Sequence, residues 1–207
     1  MNFELEDQLR ALLEAQKLDD AIATAESELS KIPETGFHKI LGRNILHLNS
    51  ELADYIASFE QSTSHVLKKK QGLIKSIFRP RHAERPAALY CEMNGFTINY
   101  DRWFIELYSF EQFSLDDWDW LSDFYDSSQN DLTITGFEDI QSVFQDIHEN
   151  DKFDDPDIDE AYEVCELIVI LRLQELFREV YKTNGDNWTT IPMFVTAHDH
   201  DFIYKVN

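Results

Sequence analysis

The feature that most constrains the fold is one long helical pattern that begins at Asp157 and ends at Asn184-Gly185. Its apolar residues keep the helical period for about 26 residues. In the middle, Leu167 to Leu171 are five consecutive aliphatic residues, which leave no polar face. A helix that is apolar all round must be covered on most sides, and this run is far shorter than the roughly 20 apolar residues of a membrane span. We therefore expect one central helix with the core built around it.

The first third of the chain also has helical spacing. Two short helices rich in leucine are predicted to form a hairpin that ends at Pro33. Thr35 can cap a third helix, whose apolar stripe runs through residues 41–59. After a polar join at 61–64, the pattern predicts one more helix over 66–78.

Beyond Pro80 the period changes from helix to strand. Strands are predicted at 87–93 and 96–100, on either side of Asn94-Gly95. This dipeptide favours a type I′ turn, because both of its residues tolerate positive φ. A third strand over 103–110 would complete a meander.

The remaining elements alternate between helix and strand. Ser114 is expected to cap a short helix that carries Leu115, Trp118, Leu121 and Phe124. A strand over 132–135 precedes a helix that follows Gly136, and a hairpin over 192–197 and 202–206 ends the sequence. These elements predict an α+β fold: an N-terminal helical hairpin or three-helix layer, followed by a mainly antiparallel sheet with helices packed on one face.

Length and context suggest one domain in the cytoplasm. Residues 1–207 are predicted to form a single α+β domain, with a helical subdomain over 1–62 and a sheet-containing part over 86–207. The first residues have neither a cationic nor an apolar region, so no signal peptide is expected. Cys91 and Cys165 lie in apolar contexts, which is typical of buried free thiols in a reducing compartment.

Charge is strongly uneven along the chain. The net charge is -22, and residues 101–166 contain 21 acidic but only 2 basic residues. Residues 68–100, by contrast, contain 7 basic and 2 acidic residues. Binding to nucleic acid or to an anionic membrane is not expected from so acidic a chain, because neutralising phosphates requires an excess of Lys and Arg. A field of one sign attracts partners of the opposite charge, so a basic protein partner is predicted.

The acidic region contains the candidate contact residues. Its carboxylates alternate with aromatic side chains, as an interface with large rigid anchors and surrounding charge would require. The helical spacing would equally bury one tryptophan in the core, and an acidic surface can also serve solubility alone. The predicted contact residues are Asp116, Asp117, Trp118, Asp119, Trp120, Asp123 and Asp126.

The best candidate for a metal site is the segment His198-Asp199-His200-Asp201. If it were a strand, residues two apart would share a face, so His198 and His200 could bind one ion with Asp201 beside them. The segment resembles part of the His-x-His-x-Asp-His signature of metallo-β-lactamase-like hydrolases, but its aspartate comes one position early and the last histidine is missing. Acidic residues from Asp155 to Glu166 also imitate the spacing of an EF-hand, although Glu160 occupies the position that requires glycine.

Known catalytic patterns are missing from the sequence. It contains no glycine-rich phosphate loop, no Gly-x-Ser-x-Gly elbow and no Cys-x-x-Cys pair. No cofactor is therefore predicted. The sequence favours a non-catalytic, bacterial-type protein-binding module, most concretely an immunity or antitoxin-like inhibitor of a basic toxin such as a nuclease. A metal-dependent hydrolase centred on His198 and His200, and a scaffold that uses the N-terminal helical hairpin as a groove, remain alternatives; the oligomeric state stays open.

Overall fold

The computed structural model describes residues 3–76, 85–97 and 101–207 of the chain. In this part five α-helices are present: α1 (Phe3–Glu14), α2 (Leu18–Leu29), α3 (Asn49–Ser76), α4 (Glu138–Glu149) and α5 (Pro156–Thr183). The strands are β1 (Ala88–Met93), β2 (Phe104–Phe110), β3 (Asp126–Ser127), β4 (Leu132–Thr133), β5 (Met193–Ala197) and β6 (Tyr204–Lys205). A helical N-terminal part followed by a sheet confirms the α+β prediction.

Helix α5 is the centre of the molecule, as its apolar run predicted. Every residue from Leu167 to Gln174 is buried. The helix packs against α2 and α3 on the helical side and against β5 on the sheet side. Asp155 caps its start by accepting a hydrogen bond from the backbone nitrogen of Asp157, and Pro156 occupies the first turn. Asp155 therefore has a structural role at the start of α5.

The helical N-terminal layer matches the sequence pattern only in part. The hairpin of α1 and α2 is confirmed, but Thr35 caps a short 3₁₀ helix over Gly36–Ile40. The polar residues 61–64 do not separate two helices, because α3 continues through them. Thr63 in this stretch is buried, and its hydroxyl lies 2.6 Å from that of Ser109 on β2. This polar residue therefore contacts the sheet and does not interrupt the helix. The end of the predicted helix at 77–78 lies outside the described residues.

The predicted tight hairpin at Asn94-Gly95 is wrong. Gly95 does not adopt positive φ, which a type I′ turn requires. The backbone nitrogen of Asn94 donates to the carbonyl oxygen of Phe104, and its side-chain oxygen accepts from the Phe104 nitrogen. The partner of β1 is therefore β2. Phe96 lies in a turn with its ring buried, and residues 98–100 of the predicted strand lie outside the described residues.

The sheet is mixed. Its order is β3-β2-β1-β5-β6, and β4 also pairs with β2. Within the described part, β1 and β5 pair in parallel and the other pairings are antiparallel. The terminal hairpin of β5 and β6 is confirmed. The parallel pairing became possible because α5 carries the chain back across the sheet before β5 begins.

The sheet separates two apolar layers. Alternate residues such as Cys91, Leu107 and Val195 point to the helices and join one core that extends from Leu5 to Val206. This core includes residues from both predicted subdomains. Ala88, Tyr90, Phe110, Trp120 and Phe194 form a second cluster on the opposite face, which we call the outer sheet face. Among the described helices, none is long and apolar enough to cross a membrane.

Candidate interaction surface

Residues 111–125 connect β2 to β3 and fold back over the outer sheet face; we call this segment the outer loop. Its anchor is Trp120, which is only 6% exposed. The indole ring lies 4.6 Å from the ring of Phe110 and 5.2 Å from that of Phe194, centroid to centroid. Trp120 was predicted to contact a partner, but its burial makes it the residue that attaches the loop to the sheet.

The helix predicted after Ser114 is shorter than expected. Only a 3₁₀ helix over Asp119–Ser122 forms. The helical spacing that would have buried Trp118 is therefore not formed, and Trp120 is the buried tryptophan of this segment. Leu115 is 63% exposed, Trp118 42% and Phe124 48%. In the described part of the chain, these three are the large hydrophobic side chains that remain exposed.

Trp118 is exposed but held in place. Its ring centroid lies 5.8 Å from that of Phe194 and 6.2 Å from that of Trp120. One edge of the indole therefore packs on the outer cluster while the other faces solvent. A side chain supported in this way loses little conformational entropy on binding, which is what an interface anchor requires.

Aspartates surround these exposed rings. Asp116, Asp117, Asp119 and Asp123 are exposed, whereas Asp126 is half-buried where β3 pairs with β2. Within the described residues, none of these five carboxylates takes part in an ion pair. The two basic residues of the acidic region are already occupied, Arg102 by Asp131 and Lys152 by Asp146. These aspartates therefore have no ion-pair partner among the described residues.

Short turns fix the shape of the loop. The Ser114 hydroxyl oxygen accepts a hydrogen bond from the Asp116 backbone nitrogen at 3.0 Å. The Asp117 carboxylate accepts one from the Asp119 nitrogen at 3.2 Å, and the Ser122 hydroxyl donates to the Asp119 carbonyl oxygen at 2.8 Å. Such local bonds favour turns over regular helix. They hold the aspartates at defined positions around Trp118.

The outer loop also contacts strand β2 on the outer sheet face. Phe124 packs edge-on against Tyr108 of β2, with 5.2 Å between ring centroids. Tyr108 in turn lies 6.2 Å from Tyr90 of β1. Burial raises the pKa of the Tyr108 hydroxyl to about 12, with the Glu106 carboxylate adding to the effect. Tyr108 thus presents a neutral, half-buried ring beside the loop, whereas Tyr90 is buried.

The residues predicted to bind metal do not lie on one strand face. Strand β5 ends at Ala197, and residues 198–200 form a turn in which Asp199 has a φ of 65°. His198 is exposed and lies next to Asp199, whereas His200 is half-buried with its Nε2 3.9 Å from Glu166 Oε2. Asp201 is exposed. In the described residues, no group of three or more His, Cys, Asp or Glu side chains is arranged to hold a metal ion.

His200 lies instead at a small cleft of about 130 Å³ beside α5. Burial raises the pKa of Glu166 to about 7 and lowers that of His200, so both groups favour their neutral forms. Tyr162 on the same helix hydrogen-bonds His148 at 2.9 Å. The cleft is lined by Glu6, Phe153, Asp159, Tyr162, Glu163, Glu166, Leu167 and His200.

Sequence reasoning missed the carboxylates of the sheet itself. Glu92 on β1 and Glu106 on β2 face each other directly in the antiparallel register. The alternation of Tyr90 with Glu92, and of Glu106 with Tyr108, could have placed each pair on one strand face. Their pairing depends on which strands are neighbours, and no local pattern contains that information.

No protein-family model, curated protein or solved structure matches the chain.

Proposed function

We propose that this protein is a cytoplasmic, non-catalytic binding module that inhibits a basic protein partner. The most concrete form is an immunity or antitoxin-like inhibitor of a basic toxin such as a nuclease. One observation carries the proposal: Trp118, Leu115 and Phe124 stay exposed on a fixed loop whose aspartates have no counter-charge among the described residues.

The chemistry of the loop supports a protein partner. Large exposed rings surrounded by polar residues resemble the anchors that dominate binding energy at protein interfaces. Trp118 combines a large contact area with a fixed position against Phe194. Solubility alone would not require an exposed tryptophan, because charged side chains are sufficient for solubility.

The charge of the loop supports a basic partner. Enzymes that act on nucleic acids carry positive clefts, because they must attract phosphates. An inhibitor that presents carboxylates to such a cleft gains association rate from electrostatic steering. Asp116, Asp117 and Asp119 lie within four residues and are all exposed, so they can act together as such a charged surface.

The test uses inhibition of purified basic ribonucleases and deoxyribonucleases from bacterial toxin systems. The wild-type protein is expected to inhibit at least one of them stoichiometrically, with an association rate that falls as salt rises. The triple variant Asp116→Asn, Asp117→Asn, Asp119→Asn should associate about tenfold more slowly and with a flatter salt dependence. Stopped-flow fluorescence measures both quantities.

A matched variant controls for net charge. Asp7→Asn, Asp20→Asn and Asp54→Asn remove the same three charges from exposed positions on the helices. This variant should associate at close to the wild-type rate. The proposal fails if none of the nucleases is inhibited, or if the two triple variants associate equally fast.

A further inference from the structure

The chain contains two asparagine–glycine dipeptides, Asn94-Gly95 and Asn184-Gly185. Asparagine side chains are among the thermally labile groups of proteins. They lose their amide most readily before glycine, because glycine has no Cβ to obstruct attack by its backbone nitrogen on the preceding side chain. The sequence gives both dipeptides the same intrinsic reactivity, but the structure places them in different environments.

The side-chain amide of Asn94 is held by the backbone at the start of β2. Its Oδ1 accepts a hydrogen bond from the Phe104 nitrogen at 2.6 Å, and its Nδ2 donates to the Arg102 carbonyl oxygen at 3.2 Å. Gly95 is buried, and a Cβ at this position would lie 3.7 Å from the Cβ of His198. Reaction at Asn94 therefore requires local opening where two paired strands meet, which is costly within a sheet.

Asn184 lies instead at the surface, where α5 ends. Its Nδ2 donates to the Val180 carbonyl oxygen at 2.8 Å and lies 3.4 Å from the Thr183 hydroxyl. Gly185 is exposed, and a Cβ at this position would meet no atom of the described residues within 4 Å. The backbone has room to rotate here, and helix ends open at low free-energy cost.

We infer that Asn184 is a modification site at which the folded protein deamidates spontaneously, whereas Asn94 is protected. The backbone nitrogen of Gly185 gives up its proton and attacks Cγ of Asn184. The new C–N bond closes a succinimide ring, and Nδ2 leaves as ammonia with the proton. Water then adds to either ring carbonyl carbon and opens the ring, which leaves aspartate or isoaspartate at position 184.

The modification changes the end of the central helix. The side chain gains a negative charge at the C-terminus of α5, where the helix dipole is also negative, and the Val180 carbonyl oxygen loses the donor Nδ2. Isoaspartate also adds one backbone methylene between α5 and Trp188, which is buried and lies 5.2 Å from the ring of Tyr181. Each product therefore weakens the attachment of this helix end.

The first test follows both asparagines in the same molecule. The full-length protein is incubated in mildly alkaline water enriched in ¹⁸O, and peptide mapping by mass spectrometry measures the acid formed at each position. Asn184 should convert at least about tenfold faster than Asn94 and incorporate solvent oxygen, because its local opening costs less. In concentrated urea the two rates should become similar. Equal rates in the folded protein, or faster conversion of Asn94, would overturn the inference.

The second test changes the attacking residue. Gly185 does not adopt positive φ and its surroundings are open, so Gly185→Ala should fold normally. Its Cβ should slow the conversion of Asn184 at least about tenfold, because it obstructs the backbone nitrogen. Conversion of Asn184 at the wild-type rate in this variant would contradict the assignment of Gly185 as the attacking residue.

The third test measures the effect of the product. Asn184→Asp should melt about 2 to 8 °C below the wild type, because it adds an unfavourable charge and removes a hydrogen bond. Asn130→Asp adds the same charge at an exposed loop residue and should change the melting temperature by no more than about 1 °C. Equal melting temperatures of the two variants would show that the helix end does not sense the modification, and the inferred effect on α5 would be wrong.

Discussion

The two neighbouring tryptophans of the outer loop should respond to substitution in opposite ways. Trp120 contacts the rings of Phe110, Phe113 and Phe194 and is almost fully buried. Replacing a buried tryptophan with alanine typically costs about 3 to 5 kcal/mol. Trp118 is 42% exposed and makes peripheral ring contacts, which are worth about 0.5 to 1.5 kcal/mol.

These values convert to clearly different melting temperatures. For a chain of this size, each kcal/mol shifts the melting temperature by about 2 to 4 °C. Trp120→Ala should therefore melt roughly 6 to 20 °C below the wild type, and Trp118→Ala no more than about 6 °C below it. Circular dichroism follows both transitions. At a temperature where both variants are folded, Trp118→Ala should lose more nuclease inhibition than Trp120→Ala, because Trp118 supplies the contact with the partner.

Fluorescence quenching checks the same assignment without unfolding the protein. Of the four tryptophans, Trp103, Trp120 and Trp188 are buried and Trp118 is exposed. Trp118→Phe should remove most of the emission that acrylamide quenches, whereas Trp120→Phe should leave it. The reasoning is refuted if Trp118→Ala destabilises the protein as much as Trp120→Ala, or if Trp118→Phe leaves quenching unchanged.

Three further predictions concern stability and metal content. Because the pKa of Glu166 is raised from 4.5 to about 7, the folded state holds more protons across this window, and the free energy of unfolding should fall as pH rises through it. Glu166→Gln should remove this slope and raise the free energy of unfolding by as much as ~3 kcal/mol at pH 8. Urea titrations of the wild type and the variant at several pH values measure the difference. Parallel pH profiles of the two proteins would contradict the prediction, because the opposite slope that His200 contributes is the same in both. Ser109→Ala should cost about 1 to 3 kcal/mol, because it leaves the buried Thr63 hydroxyl without the Ser109 oxygen that lies 2.6 Å away. Thr63→Val should cost less, because the Ser109 hydroxyl keeps its hydrogen bond to the Asp126 carbonyl oxygen at 3.2 Å. The double variant should cost less than the sum of the two, and additive losses in denaturant unfolding would argue against the pairing. Elemental analysis should find no stoichiometric zinc, manganese or iron in the purified protein, and near-stoichiometric metal lost on replacing His198 would instead support the hydrolase alternative.

The candidate surface could be predicted only in part. Alternation of aspartates and tryptophans in residues 116–120 identified the segment, because charge beside large rings is visible locally. The sequence did not show which tryptophan is buried, because helical spacing with Leu115 and Leu121 indicated Trp118. The sheet buries Trp120 instead, because the loop lies across strands and does not form a helix.

The sequence by itself determined the central helix, the helical hairpin and the terminal β-hairpin. In each case the evidence is periodicity over neighbouring residues, which reports directly which side of an element is buried. Only the tertiary structure decided the neighbours of β1. Its antiparallel partner is β2 and not the segment after Asn94-Gly95, and its parallel partner is β5, about a hundred residues further along the chain. That pairing places Glu92 opposite Glu106 and brings Phe110 and Phe194 to the face that the outer loop covers. Strand pairing depends on the energy of the whole packed arrangement, including the cost of closing long connections, and for that reason no local pattern encodes it.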